Sequence, residues 1–329
     1  GSTFKIITLA AALEEGKVDL EHESFYDPGY AIVEGARLRC WKREGHKHQS
    51  FLEVVENSCN PGFIELGQRV GREKLSKYIR DFKKKKKTGS SIAGESTGIL
   101  FSKENYGPVE HATTSFGQGI SVTPIQQVQA VSAAVNGGTL FQPYVVKRIY
   151  NEETNEVITE NEPTKVRQVV SEETSKQVRE SLESVVAMGS GRNAFRDTMR
   201  IGGKTGTAQK AVNGRYVEGQ YIVSFIGFAP ANDPEIVVYV AIDNPKHVLQ
   251  FGGVIAAPIV GEIIEDSAPF IGFNYNKDQI QKEYRWGDSI ERRVPDLVGQ
   301  EKNKIMMVDE PFKIEWHGTG TKIISQLPQ

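Results

Sequence analysis

The stretch that most constrains the fold runs from residue 202 to residue 242. Gly202-Gly203-Lys204-Thr205-Gly206-Thr207-Ala208-Gln209 carries little side-chain bulk. Two apolar runs follow, Tyr221-Ile222-Val223-Ser224-Phe225-Ile226-Gly227-Phe228 and Ile236-Val237-Val238-Tyr239-Val240-Ala241-Ile242, joined by Pro230-Ala231-Asn232-Asp233-Pro234. Aromatic and β-branched runs separated by such a turn read as strands. The pattern predicts a three-strand antiparallel meander with the glycine-rich segment at its edge. Glycine inside a strand marks a close approach by another backbone or a ligand.

Elsewhere the chain reads as mostly helical. Ile6, Ile7, Leu9, Ala10, Ala12 and Leu13 give an apolar face over residues 3–15, and Gly16 stands where a helix end favours glycine. Thr123-Pro124 is an N-cap and first-turn pair, followed by Val128, Val131 and Val135 until Gly137-Gly138 ends the helix. Residues 171–187 form another helix; Ser171 caps it, and Thr174 replaces the acid of a full capping box. Residues 252–272 are apolar around Pro258 and should pack on the sheet. With 329 residues, 38% hydrophobic and a net charge of −2, the chain suits one large globular domain and a small extra module. That charge gives no case for nucleic acid. No apolar run reaches the ~20 residues of a membrane span, and there is no signal peptide.

Three short motifs carry chemistry. In Ser2-Thr3-Phe4-Lys5 the serine falls at the helix N-cap or first turn, and Lys5 shares its face with Cβ atoms roughly 5–6 Å away. The positive helix end and apolar surroundings disfavour charge on Lys5, leaving an amine able to take a proton from Ser2. The plain alternative is a serine cap followed by a solvated lysine. Ser58-Cys59-Asn60-Pro61 follows a short amphipathic helical stretch over residues 51–56. Pro61 biases Asn60 away from helical geometry, so a loop between helices is expected, with hydroxyl and amide facing a cleft. A simple interhelical turn is the alternative. Lys204-Thr205-Gly206 lies on the edge strand, where an amine, hydroxyls and free backbone N–H groups suit a peptide carboxylate; a solvated edge lysine is the alternative. Lys87-Thr88-Gly89 repeats the third motif, but no apolar strand follows it, so it reads as loop.

These motifs together resemble the penicillin-binding protein and serine β-lactamase superfamily. Gly1-Ser2-Thr3-Phe4-Lys5, Phe116-Gly117-Gln118-Gly119 with Thr123-Pro124-Ile125-Gln126, Gly202 to Ala208, and Phe225-Ile226-Gly227-Phe228-Ala229-Pro230 are similar to class B penicillin-binding proteins. Arg39-Cys40-Trp41-Lys42-Arg43 and Asn57-Ser58-Cys59-Asn60-Pro61-Gly62 resemble the sporulation members of that class, which build spore cortex. The implied fold is α/β (α+β): an antiparallel sheet flanked by helices plus an all-helical lobe. The implied activity is peptidoglycan D,D-transpeptidation, with penicillin acylating the same serine.

The resemblance assigns roles residue by residue. Ser2 is the nucleophile, Lys5 its base, and Ser58 the proton shuttle to the leaving D-alanine. Asn60 holds the stem peptide. Lys204 and Thr207 bind the terminal carboxylate, Thr205 and Gly206 are further substrate-binding positions, and the backbone N–H groups of Ser2 and Thr207 form the oxyanion hole. No cofactor and no metal are implied. The implied partners are D-Ala-D-Ala stem peptides, β-lactams and a membrane glycosyltransferase. The implied location is the outer face of the cytoplasmic membrane, or the forespore envelope, through an N-terminal anchor that this chain lacks. A nucleophile at position 2 also leaves no room for the strands that precede it in the family.

Residues 1–273 are expected to be the transpeptidase domain, with residues 274–293 as a polar linker. Val294-Pro295-Asp296-Leu297-Val298-Gly299, Phe312-Lys313-Ile314-Glu315-Trp316 and the segment from Ile323 to Pro328 resemble a partial PASTA module over residues 294–329. Lys83-Lys84-Lys85-Lys86-Lys87 departs from the family text and reads as a solvated loop.

Cys40 and Cys59 are the only cysteines. The family site faces a compartment where disulfides form, so the two are a candidate redox pair served by a thiol-disulfide reductase. Two buried free thiols are the alternative. His46 and His48 lie near Cys40, but the spacing is not that of a Cys/His finger. Competing functions are a D-alanyl-D-alanine carboxypeptidase, a β-lactamase, whose second base would best be Glu95, and a non-catalytic β-lactam sensor or wall-binding scaffold.

Overall fold

The computed structural model describes residues 1–82, 87–90, 93–212, 215–272, 278–282, 297–302 and 315–326. It divides into two units, Gly1–Glu283 and Tyr284–Gln329.

In the first unit the chain enters through one 3₁₀ turn, Ser2–Phe4, and continues into α1, Lys5–Glu14. The expected helix over residues 3–15 is therefore split. Gly16, at φ 58°, ends it as anticipated. Two short antiparallel ribbons come next, built from β1 (Ser24–Asp27), β2 (Tyr30–Val33), β3 (Ala36–Arg39) and β4 (Lys47–Ser50). β1 pairs with β4 and β2 with β3. The helical lobe thus carries ribbons as well as helices.

α2 (Phe51–Glu56) starts from a full capping box, in which Ser50 accepts from the Glu53 amide and Glu53 accepts from the Ser50 amide. α3 (Asn60–Val70) and α4 (Arg72–Asp81) follow, then α5 (Pro108–Ser115) and α6 (Pro124–Val135). Thr123 and Gln126 make another capping box ahead of α6, and Gly137 and Gly138 stop it at positive φ. Leu9, Phe51, Phe63, Leu66, Leu75, Val131 and Val135 are fully buried in the core that joins these helices.

β5 (Thr139–Gln142), β6 (Arg148–Tyr150), β7 (Val157–Glu160) and β8 (Thr164–Gln168) form two further ribbons, β5 with β8 and β6 with β7. α7 (Glu172–Ala187) is capped by Ser171, whose hydroxyl accepts from the Thr174 amide.

The predicted meander is present as β9 (Gly202–Val212), β10 (Arg215–Ala229) and β11 (Ile236–Asp243), antiparallel, in the order β11-β10-β9. Residues alternate across β10. Ile226 and Phe228 join the core shared with the helical lobe, while Phe225 and Ala229 pack with Ala256, Ala257, Val260 and Ile264. Those last four belong to α8 (Gly252–Ile271), the expected helix on the sheet, which Gly272 ends in the left-handed region. Among the described strands β9 has one neighbour, so its other side is an edge.

In the second unit, residues 297–302 and 315–326 include an antiparallel bridge between Glu301 and Lys322. Hydrogen bonds from Gly299 N to Ile323 O (2.8 Å) and from Lys302 N to Thr321 O (2.9 Å) extend it. Residues 294–296, 312–314 and 327–329 of the PASTA-like text, most of the 274–293 linker and residues 83–86 of the lysine run lie outside the described residues.

Candidate active site

The three motifs converge at the N-terminus of α1. Ser2 is half-buried in the 3₁₀ turn, where side chains three residues apart lie on one side. That geometry puts Ser2 and Lys5 on the same face. Gln127 of α6 donates to the Thr3 carbonyl at 3.1 Å and fixes the turn from beneath. Gly117, at φ 86°, closes over it: a Cβ there would lie 2.1 Å from the Gly1 carbonyl oxygen.

Lys5 has no exposed surface. Its amine donates to the Ser58 carbonyl (2.8 Å), to Ser58 Oγ (3.1 Å) and to Asn60 Oδ1 (2.7 Å). All three together suit the ammonium form; the neutral amine keeps two N–H groups and releases one contact to expose its lone pair. Nζ also lies 5.1 Å from the centroid of Phe63. Burial disfavours the ammonium and lowers the Lys5 pKa to about 8, with Cys59 and Cys40 acting weakly the other way. Lys5 is therefore not a solvated lysine behind a serine cap.

The second motif departs from the expected loop. Ser58 sits in the turn at φ 53°, Cys59 is the N-cap of α3, and Asn60 is its first residue. Pro61 is accommodated because the first helical turn needs no N–H donor there. The motif thus has a helix behind it. Asn60 also donates from Nδ2 to the Arg39 carbonyl at 3.1 Å.

Lys204, Thr205 and Thr207 lie on β9, paired with Ile226, Phe225 and Val223 of β10. Lys204 is 1% exposed rather than lying open at the edge. Burial first, and the charge of Lys5 second, hold its amine well below the ordinary lysine range. The Thr205 hydroxyl lies 3.1 Å from Ser190 Oγ and accepts from Lys204 at 3.3 Å. Thr207 Oγ1 accepts from the Gly252 amide at 3.3 Å, which ties β9 to the start of α8. Gly206 faces the nucleophile turn: a Cβ there would fall 2.4 Å from Ser224 Oγ and 3.1 Å from Thr3 Cγ2. The expectation that these glycines mark a close approach is met by the chain itself.

Sequence reading assigned no role to Ser190, Gln127 or Gly252. Gln127 follows the quoted Thr-Pro-Ile-Gln text, so a signal was present; Ser190 and Gly252 have no local pattern that marks them. The decoy motif is in a loop, where Glu95 accepts from the Thr88 amide and, at 3.3 Å, from the Gly89 amide. That contact occupies the carboxylate considered as a second base.

Cys40 and Cys59 are free and buried. With Asp27 and His46 they form a cluster whose ligating atoms all lie within 4.8 Å of one another. Burial pushes the Cys59 thiol up, and its hydrogen bond holds Cys40 below the usual thiol range. Burial pulls His46 down, but hydrogen bonds to Cys40 and Asp27 outweigh it and leave the imidazole raised. Linear spacing concealed this set, because pairing of β1 with β4 brings Asp27 to His46 across 19 residues. His48 takes no part; it is exposed on β4, against Tyr26.

Known proteins share the sequence and fold of this chain. Residues 1–265 match the penicillin binding protein transpeptidase domain. The chain is 59% identical over 328 residues to stage V sporulation protein D of Bacillus subtilis, covering all of this chain and 51% of that protein. It is 31% identical over 282 residues to the probable peptidoglycan D,D-transpeptidase PenA of Neisseria flavescens, covering 84% of this chain and 66% of that one. It therefore spans roughly half to two thirds of these curated relatives. Among solved structures, the transpeptidase domain of Burkholderia pseudomallei penicillin-binding protein 3 superposes with a TM-score of 0.73 at 28% identity, covering 84% of this chain and 80% of that one. Penicillin-binding protein 3 of Mycobacterium tuberculosis, complexed with aztreonam, gives 0.76 at 27%, covering 86% and 65%. A match over most of the chain, joined to a shared fold and three converging motifs, means that this chain belongs to the penicillin-binding protein transpeptidase domain family.

Proposed function

We propose that the chain is the catalytic part of a peptidoglycan D,D-transpeptidase that works through a Ser2 acyl-enzyme. The observation that carries this reading is the buried Lys5 amine, hydrogen-bonded to Ser58 and Asn60 with its pKa lowered to about 8, three residues from the half-buried Ser2. Ser2 Oγ attacks the carbonyl carbon of the penultimate D-alanine, and its proton passes to neutral Lys5. Ser58 relays a proton to the departing D-alanine amine as the peptide bond breaks and the ester forms. An amine from a second stem peptide then attacks the ester, and Ser2 regains its proton. Backbone N–H groups of Ser2 and Thr207 stabilise the oxyanion, each worth about 3–4 kcal/mol.

Asn60 orients the stem peptide, and β9 pairs with it as an added strand. Lys204, Thr205 and Thr207 receive the terminal carboxylate, while Gly206 keeps that part of the strand free of bulk. An arriving carboxylate restores the charge that burial takes from Lys204. β-Lactams acylate Ser2 in place of the stem peptide.

The 59% identity to a sporulation protein supports a role in spore cortex synthesis; we place that role at the outer face of the cytoplasmic membrane, with a wall glycosyltransferase as partner. Among the described residues no helix is long and apolar enough to cross a membrane. We assign residues 1–273 to the transpeptidase domain, 274–293 to a linker and 294–329 to a PASTA-like module. The buried, neighbouring thiols support Cys40–Cys59 as a redox pair: an external disulfide takes their two protons and two electrons by exchange and leaves as a dithiol, and a reductase dithiol reverses the step.

A fluorescent penicillin tests the function. Labelling that persists and is lost in Ser2→Ala supports the acyl-enzyme; rapid release indicates hydrolysis, and no labelling a scaffold. Release of D-alanine with and without an acceptor amine separates transpeptidase from carboxypeptidase.

A further inference from the structure

The segments around the second motif come together on one buried point. Asp27 ends β1, Cys40 directly follows β3, His46 directly precedes β4, and Cys59 caps α3. The Asp27 and Cys59 side chains have no exposed surface, Cys40 has 2%, and the His46 side chain 5%. The loop between Cys40 and His46 folds back tightly. Gly29 and Gly45 both hold positive φ, and a Cβ on Gly45 would fall 2.2 Å from the Asp27 carbonyl oxygen. Cys40 N donates to the Gly29 carbonyl at 2.8 Å.

The ligating atoms have specific separations. His46 Nδ1 is 3.6 Å from Cys40 Sγ and 2.8 Å from Asp27 Oδ2. Cys59 Sγ is 3.3 Å from the same Asp27 oxygen. A tetrahedral zinc has arms of about 2.3 Å to sulfur and 2.0 Å to nitrogen or oxygen, which sets ligand–ligand edges of about 3.3 Å between nitrogen and oxygen, 3.5 Å where one ligand is sulfur and 3.8 Å between two sulfurs. The His46–Cys40 and Cys59–Asp27 separations lie within about 0.2 Å of those edges, the His46–Asp27 pair must open by about 0.5 Å, and the remaining three pairs lie within 4.8 Å. As it stands, the cluster is held by protons shared among a carboxylate, an imidazole and two thiols.

The geometry points to a structural zinc site formed by Asp27, Cys40, His46 and Cys59. Two thiolates with an imidazole and one carboxylate select zinc over magnesium or calcium. On loading, the thiol protons and the imidazolium proton leave to solvent, and the metal takes their place. The consequence falls on the active site. Cys59 lies between Ser58 and Asn60, both of which hold Lys5. A metal bond on Cys59 pins that turn to β1 and to both ends of the β3–β4 loop. A Cys40–Cys59 disulfide and a bound zinc are mutually exclusive, so oxidation also expels the metal.

The test uses the whole chain, reduced, stripped with a chelator and dialysed against zinc or cobalt without oxygen. One equivalent of zinc per chain is expected, together with a thiolate-to-cobalt charge-transfer band. Both should be lost in the diamide-oxidised protein and reduced at least tenfold in Cys40→Ser and His46→Ala. Absence of stoichiometric metal in the reduced wild type overturns the site, as does a cobalt spectrum without thiolate charge transfer. Undiminished metal in both variants also overturns it. The wild-type spectrum decides even where a variant fails to fold. Penicillin labelling is scored on the same samples: labelling without metal removes this inference and leaves the acyl-enzyme standing.

Discussion

The Nζ of Lys5 lies 2.7 Å from Asn60 Oδ1, a hydrogen bond that joins the first and second motifs across 55 residues of sequence. It ties the buried amine to the half-buried Asn60, with Ser2 the half-buried hydroxyl on the same helical face as Lys5. Because Ser58 accepts from the same amine, the base and the shuttle are one hydrogen-bonded unit.

Replacing Lys5 by alanine removes the base. Penicillin acylation is expected to fall roughly 10²–10⁴-fold, the usual range for a lost general base. Lys5→Arg should not rescue it, since a guanidinium stays protonated. Labelling rates, with circular dichroism to verify folding, check both.

The pH dependence has a definite sign. Burial lowers the Lys5 pKa to about 8, so the neutral base accumulates as pH rises through 8. The acylation rate should climb over that window and level off above it. A rate that falls on raising the pH through 8 contradicts Lys5 as the base. The same lowered pKa makes Lys5's contribution to stability rise between about 8 and its unfolded value near 10.4, because there the unfolded chain binds the extra proton.

Gly206→Ala is expected to harm acylation more than stability. Its Cβ would meet Ser224 Oγ at 2.4 Å and Thr3 Cγ2 at 3.1 Å, forcing β9 and the nucleophile turn apart. A displacement near 1 Å costs on the order of 10²-fold in rate, while overpacking costs about 1–3 kcal/mol. Acylation kinetics and urea unfolding on the same sample separate the two effects.

Phe225→Ala tests the packing of the sheet on α8. Phe225 is fully buried with Ala256, Ala257 and Val260. The substitution should cost about 3–5 kcal/mol, read as a lower urea midpoint with little change in slope.

Much of this protein was legible in the order of its residues. The meander over residues 202–242, the α6 and α7 caps and the apolar α8 follow from local patterns, because strand alternation, capping and turn chemistry act over a few residues. The three motifs were legible for the same reason, and the strands after Lys204 separated it from Lys87. Local pattern also misled: Pro61 suggested a loop at Asn60, whereas the first turn of α3 tolerates proline. What only the tertiary structure decided is how far each reactive group is removed from water and what it meets there. Burial of Lys5 and Lys204, the Gln127 contact to Thr3, and the meeting of Asp27 with Cys40, His46 and Cys59 all depend on separate segments closing on one point. Desolvation and hydrogen-bond partners set the chemistry of these groups, and both are properties of three-dimensional neighbours that spacing along the chain does not encode.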